Sequence, residues 1–272
     1  MRSLLPLLLG LMLPVAVFAA EPVWEEHPEW SKEFTDRGVT GTAVVFDESA
    51  NRYLVFDRKR AETPFIPAST FKVFNAMVAL ETGAVKDEYD VVRWDGVERQ
   101  FKDWNRDQSL ASAMKFSAVW FYQEMARRAG AERMQAWIDK VGYGNRDIGG
   151  GIDHFWLSGN LRISAVAEIE FLRRLAAGTL PFSERSQETA RRITIQESAP
   201  DFVLHGKTGL APRDDIASKK DLGWYVGWVE RGGQRWFFAL NADLPHGFDD
   251  GPKRIAIARA LLAKVGALPA GS

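Results

Sequence analysis

Hydrophobic residues recur with a period of two at both ends of this chain and with a helical period between them, an order that sharply restricts the folds open to it. Two β-branched and aromatic runs, 42–47 and 52–57, flank Glu48-Ser49-Ala50-Asn51 and predict a hairpin. From residue 84 to about 199 the spacing is largely helical, with short loops. Helices are predicted over 119–128 and 131–141, separated at Gly130 and stopped by Gly142, then after a Ser164 cap with Ala165, Ile169, Leu172 and Ala176 on one stripe, then over 186–195. Beyond Pro200 the period returns to two at 202–207, 224–230 and 235–241, the last two joined across Arg231-Gly232-Gly233-Gln234. A final helix is predicted over 253–265 and a charged surface loop over 212–221. The predicted class is therefore α+β: a central antiparallel sheet formed by both chain ends, flanked by helices, with an all-helical subdomain inserted over about 67–199. A cleft between sheet and insertion is the expected ligand site.

Residues 1–19 stand apart. Arg2, an apolar run broken by Pro6, Gly10 and Pro14, and a small-residue junction at Val17-Phe18-Ala19 predict a signal peptide, leaving 20–272 as a single domain in the periplasm. The run is too short and interrupted to span a bilayer, so no stable membrane association is expected. With no cysteine in 272 residues, disulfides and thiolate chemistry are excluded, and a core drawn from 46% hydrophobic residues must stabilise the fold. His27, His154, His205 and His246 have no ligand spacing, so no metal is expected. A net charge of -1 without a basic block gives no footprint for nucleic acid.

Against this frame one short motif carries chemistry. Ser69-Thr70-Phe71-Lys72 opens an apolar helical pattern that ends at Gly83, so both polar side chains rise from one face. A hydroxyl becomes a nucleophile when a neighbouring base takes its proton, and a desolvated lysine can be neutral enough to do so. Backbone N–H groups at a helix start can also hold a developing oxyanion. A serine there is more often an N-cap, and Ser-x-x-Lys arises on the order of once by chance in such a chain. A second copy, Ser112-Ala113-Met114-Lys115, does occur, but inside a short helix capped by Ser109, which leaves Ser69 as the candidate.

Four further elements follow in order: Ser117-Ala118-Val119 before a helix, Tyr143-Gly144-Asn145 after one, Phe155-Trp156-Leu157 in a loop, and Lys207-Thr208-Gly209 at a strand end. With Pro67-Ala68-Ser69-Thr70-Phe71-Lys72 and Leu222-Gly223-Trp224, this series resembles the class D serine β-lactamases, the oxacillinases of the penicillin-recognising serine enzymes, from about Thr40 to the last helix.

The resemblance implies hydrolysis of the β-lactam ring of penicillin-type antibiotics, and hence resistance to them, with Ser69 acylated and Lys72 and Ser117 as its catalytic partners. It implies an oxyanion hole from the N–H groups of Ser69 and Leu210, after Lys207-Thr208-Gly209, and a substrate carboxylate held by Lys207, Thr208 and Arg254. Arg254 also reads as a plain solvated helix charge. No organic cofactor is implied; the one addition is a carbon dioxide-derived carboxyl group on Lys72, with Val119 as apolar wall and the Trp156 indole as its donor. Ser117-Ala118-Val119 replaces the Ser-Asp-Asn of class A relatives, and apolar surroundings favour the neutral amine that carboxylation needs. Tyr143-Gly144-Asn145 is expected to shape the loop wall near the site. A penicillin-binding transpeptidase or carboxypeptidase, or a sensor domain acylated without turnover, shares much of this plan. Whether the protein is a monomer or homodimer, and which β-lactams it takes, the sequence leaves open.

Overall fold

The structure, a computed structural model, describes residues 21–212 and 220–271. The predicted signal peptide and most of the predicted 212–221 loop lie outside the described residues. Strands β1 (Val23–Glu26), β2 (Thr40–Asp47), β3 (Arg52–Phe56), β4 (Ile195–Ser198), β5 (Phe202–Ala211), β6 (Asp221–Arg231) and β7 (Gln234–Leu244) form one sheet in the order β1-β3-β2-β7-β6-β5-β4. The chain ends meet at β2 and β7, paired from Thr40 opposite Asp243 to Asp47 opposite Trp236. All pairings are antiparallel except β1 with β3.

Local chemistry sets the turns. Asp47 Oδ1 accepts hydrogen bonds from the Ala50 N–H and the Ser49 hydroxyl, closing the β2–β3 hairpin. Gly232 and Gly233 take the positive φ values, 58° and 77°, that a two-residue hairpin turn requires between β6 and β7. Both faces of the sheet are buried, because successive side chains point opposite ways and each face has its own cover. Ala43, Val45, Leu54, Phe238 and Leu240 pack beneath α1 (Ser31–Thr35) and the terminal helix, while Val44, Phe46, Val55, Phe237 and Ala239 face the inserted helices.

Those inserted helices begin after α2 (Arg58–Glu62) and are α3 (Lys72–Glu81), α4 (Leu110–Lys115), α5 (Val119–Ala129), α6 (Ala131–Val141), α7 (Ala165–Ala176) and α8 (Glu184–Ile193); α9 (Gly251–Lys264) closes the chain. The predicted punctuation is present: Ser109 caps α4, Gly130 separates α5 from α6, Gly142 sits at φ 74° after α6, and Ser164 caps α7 through the Ala167 N–H.

Several expectations are corrected. The 84–109 stretch is mostly loop with one short 3-10 turn, because Asp87, Asp90, Asp95 and Asp107 accept backbone N–H groups that a helix would need. Helix α8 starts two residues before the predicted 186, capped by Ser183, and Ile195 opens β4 instead of ending the helix. Strands β5, β6 and β7 run longer than their alternation suggests, and Asp221 belongs to β6 rather than to a loop. β1, whose partner lies nearly thirty residues away along the chain, has too few residues to show a period.

Candidate active site

Ser69 lies in a 3-10 turn, Ala68–Phe71, that runs straight into α3. Ala68 adopts φ 51°, a left-handed conformation that a non-glycine residue holds only where its surroundings impose it. The surroundings do so. Phe65 and Ile163 exchange backbone hydrogen bonds, the Trp224 indole donates to Ile66 O, and Pro67 O accepts from both the Thr70 N–H and the Thr70 hydroxyl. Neither the turn nor α3 has a side-chain cap, so the N-cap reading of Ser69 gives way to a different partner. That partner is Lys72, whose Nζ lies 2.6 Å from Ser69 Oγ.

Lys72 exposes none of its surface. Burial, followed by the positive charge of Lys207, holds its amine well below the ordinary lysine range. Its other two contacts are both to Ser117, at 3.0 Å to the carbonyl oxygen and 3.0 Å to Oγ. Ser117 can present both oxygens because it sits at φ 54° in the bend ahead of α5. Lys207 Nζ reaches the same hydroxyl at 3.0 Å, so Ser117 Oγ bridges the two amines. Burial, followed by the charge of Arg254, lowers Lys207 to about 7, and burial lowers Arg254 to about 10.

Arg254 is not the solvated helix charge that was the plain alternative: it is 7% exposed, and its Nε and Nη1 have no hydrogen-bond partner. Gly223 lies against it: a Cβ there would touch the Arg254 Cδ at 3.4 Å and collide with Leu244 Cδ1 at 2.5 Å. A cleft of about 480 Å³ is lined by Ser69, Ser117, Val119, Thr208, Leu210 and Arg254, among others. Strand β4 pairs with β5 only as far as His205, which leaves the edge beyond it facing the nucleophile turn; the Cβ of an alanine at Gly209 would stand 3.0 Å from Pro67 O. Across the mouth, the Phe101 and Phe248 rings meet at a tilt with centroids 4.7 Å apart, and Trp104 is fixed to Phe116 O by its indole N–H.

Trp156 is fully buried, its ring stacked on Phe71, the residue that precedes Lys72 in the chain, and its Nε1 has no hydrogen-bond partner. An unpartnered buried N–H destabilises a fold by about 1–3 kcal/mol unless something accepts from it. A desolvated amine held well below the ordinary lysine range and an orphaned donor suit a carboxylated lysine side chain.

The penicillin-binding protein transpeptidase domain family matches residues 40–263. Beta-lactamase OXA-48 of Klebsiella pneumoniae is 44% identical over 222 residues, 82% of each chain, and the probable beta-lactamase YbxI of Bacillus subtilis is 42% identical over 92% of this chain and 91% of its own. The crystal structure of the class D beta-lactamase FUS-1 from Fusobacterium nucleatum superposes with a TM-score of 0.85 at 37% identity, covering 90% of this chain and all of that one. The chain belongs to the class D β-lactamase family.

Within this class D site, one expectation is corrected and two residues are new. Tyr143 does not shape an outer wall: it is 2% exposed, packed against Phe71, Phe74 and Phe171 in the core. Asn145 is the residue that organises the loop, donating to Asn160 O and accepting from the Arg162 and Asp147 N–H groups. Thr70 and Glu168 went unnoticed in the sequence. Yet Glu168 falls at helical spacing between Ala165 and Ile169 on the apolar stripe of α7, a place where a carboxyl group needs a reason.

Proposed function

We propose that this chain opens β-lactam rings by forming and then hydrolysing an ester on Ser69, with Lys72 as the base. The contact between Ser69 Oγ and a fully buried amine at 2.6 Å carries the reading. A neutral amine has two hydrogens and one lone pair. Donating to Ser117 O and Ser117 Oγ uses both hydrogens, so the lone pair is left to accept the Ser69 hydroxyl proton. The backbone N–H groups of Ser69 and Leu210 hold the oxygen that becomes negative. Ser117 Oγ, accepting from Lys72 and Lys207, has its own proton free for the ring nitrogen as the C–N bond breaks. Lys207, Thr208 and Arg254 receive the substrate carboxylate, and the unpaired Arg254 Nε and Nη1 supply the planar fork that a carboxylate prefers.

Lys72 and Trp156 would hold a carbon dioxide-derived carboxyl group, with Val119 as apolar wall. Bound there, that group supplies a general base for activating Ser69 and the water that releases the ester. Export through the 1–19 leader to the periplasm belongs to the same proposal. The test is turnover: purified mature protein should hydrolyse benzylpenicillin through many cycles, faster with added bicarbonate. A single burst leaving a stable acyl adduct by mass spectrometry would favour a penicillin-binding protein or sensor instead.

A further inference from the structure

Three hydrogen bonds meet around a carboxyl group that the catalytic reading does not use. Glu168, 1% exposed on α7, has its Oε1 2.6 Å from Thr70 Oγ1 and 3.1 Å from the Tyr143 hydroxyl, and Thr70 Oγ1 lies 2.9 Å from Pro67 O. Pro67 O is a carbonyl and only accepts. Thr70 and Tyr143 bring one hydrogen each, so two hydrogens are available for three bonds. The third must be carried by Glu168.

We propose that Glu168 is a protonated carboxylic acid that positions the nucleophile turn: it donates to Thr70 Oγ1, Thr70 donates to Pro67 O, and Tyr143 donates to Glu168. This rests on the reading of Ser69 as nucleophile. The chain of donors fixes the carbonyl that precedes the left-handed Ala68 and thereby the direction of Ser69, and it acts through Thr70 on the same Pro67 O that abuts Gly209 of β5. Burial raises the carboxyl from 4.5 to about 7, against the lowering effect of the Thr70 and Tyr143 hydroxyls. Ionisable groups on the packed elements are engaged elsewhere: Arg60 of α2 pairs with Asp243, Glu170 accepts from Tyr53 and Arg173, and Arg174 and Arg191 donate to backbone carbonyls. Loss of the proton leaves two hydrogens for the three contacts, and the Pro67 end of the chain slackens.

The experiment compares the parent with Glu168→Gln, whose NH2 in place of Oε1 carries two hydrogens, one for Thr70 Oγ1 and one for the Tyr143 hydroxyl oxygen, and with Glu168→Ala. Difference infrared spectroscopy on the whole protein should show a protonated-carboxyl C=O band that is missing in Glu168→Gln and fades with a midpoint near pH 7. With benzylpenicillin, Glu168→Gln should keep kcat within about threefold and lose the fall in kcat above pH ~7, while Glu168→Ala should lose about tenfold or more in kcat with KM little changed. Absence of the band at pH ~6, a Glu168→Gln variant as impaired as Glu168→Ala, or a fully active Glu168→Ala would each overturn the proposal. Should the parent not hydrolyse β-lactams at all, the infrared band still decides the protonation state, so the two readings fail separately.

Discussion

Replacing Gly209 by alanine tests how closely β5 is set against the nucleophile. The added Cβ would lie 3.0 Å from Pro67 O, 3.1 Å from Trp224 Cβ and 3.2 Å from Thr70 Cγ2. Gly209 is not among the residues with positive φ, so the backbone itself accepts alanine and the cost comes from contact. None of the three neighbours is the free end of a flexible chain. Pro67 O is tied by two bonds to Thr70, and Trp224 is tied through its indole to Ile66 O. The strand must therefore retreat by a few tenths of an ångström. Overpacking of this kind destabilises by about 1–3 kcal/mol. At about 2–4 °C for each kcal/mol in a domain of this size, the midpoint of thermal unfolding should fall by several degrees. The retreat also separates the N–H of Leu210 from that of Ser69. Complete loss of one oxyanion donor lowers kcat by about 10²–10³, so partial misplacement should lower kcat/KM for benzylpenicillin by roughly 10–100-fold. Initial rates and circular-dichroism melts on the same preparation check both parts. A Gly209→Ala protein that melts with the parent and hydrolyses within about twofold of it would refute the claim that this contact sets the site.

Removing Arg254 as Arg254→Ala should raise KM for carboxylate-bearing β-lactams about 10–100-fold, since charge-assisted hydrogen bonds contribute about 1.5–3 kcal/mol, with a small effect on kcat; steady-state kinetics showing an unchanged KM would contradict its assigned role. Trp156→Phe keeps an aromatic ring on Phe71 and deletes the orphaned N–H with part of the buried indole, so in carbon dioxide-free buffer relief of about 1–3 kcal/mol should offset much of the cavity cost and the melt should fall far less than for Trp156→Ala. Trp156→Phe should lose turnover that bicarbonate does not restore, and carbon-13 NMR with labelled bicarbonate should show a weaker carboxyl resonance on Lys72 than in the parent.

The architecture was legible where local chemistry and hydrophobic period agreed. Ser109, Ser164, Gly130 and Gly142 mark their helix ends, and the strands centred on Val44, Tyr225 and Phe238 alternate because each face meets a different helical layer. It failed where pairing with distant strands decides the outcome. Thr208, Gly209, Leu210 and Ala211 extend β5 because β6 runs alongside them, not because their own sequence alternates. The motif residues were legible through resemblance, but their electrostatic condition was not. No pattern in Ser69-Thr70-Phe71-Lys72 says that Lys72 is fully buried or that Arg254 is left without partners for two of its nitrogens. Tyr143 reads as a loop residue after a helix stop, yet three aromatic rings and a carboxyl group from other segments draw it into the core.

The basic groups of the site form a graded series rather than three separate contacts. Arg254 lowers Lys207, and Lys207 lowers Lys72, each after the larger effect of burial. Among the ion pairs of the described residues, none involves Lys72 or Lys207. Before substrate arrives, burial and then this positive field disfavour the protonated form of Lys72, the condition that its proposed role as a base requires. On the proposed mechanism, a substrate carboxylate seated on Lys207 and Arg254 would cancel part of the field, and Lys72 would then hold the Ser69 proton at a smaller penalty. On the proposed mechanism, binding and proton transfer are therefore coupled through the same charges. The site would then suppress protonation of Lys72 while the cleft is empty and relax that suppression when a β-lactam carboxylate fills it. Ser117, touching both amines at 3.0 Å, lies between the two ends of that coupling.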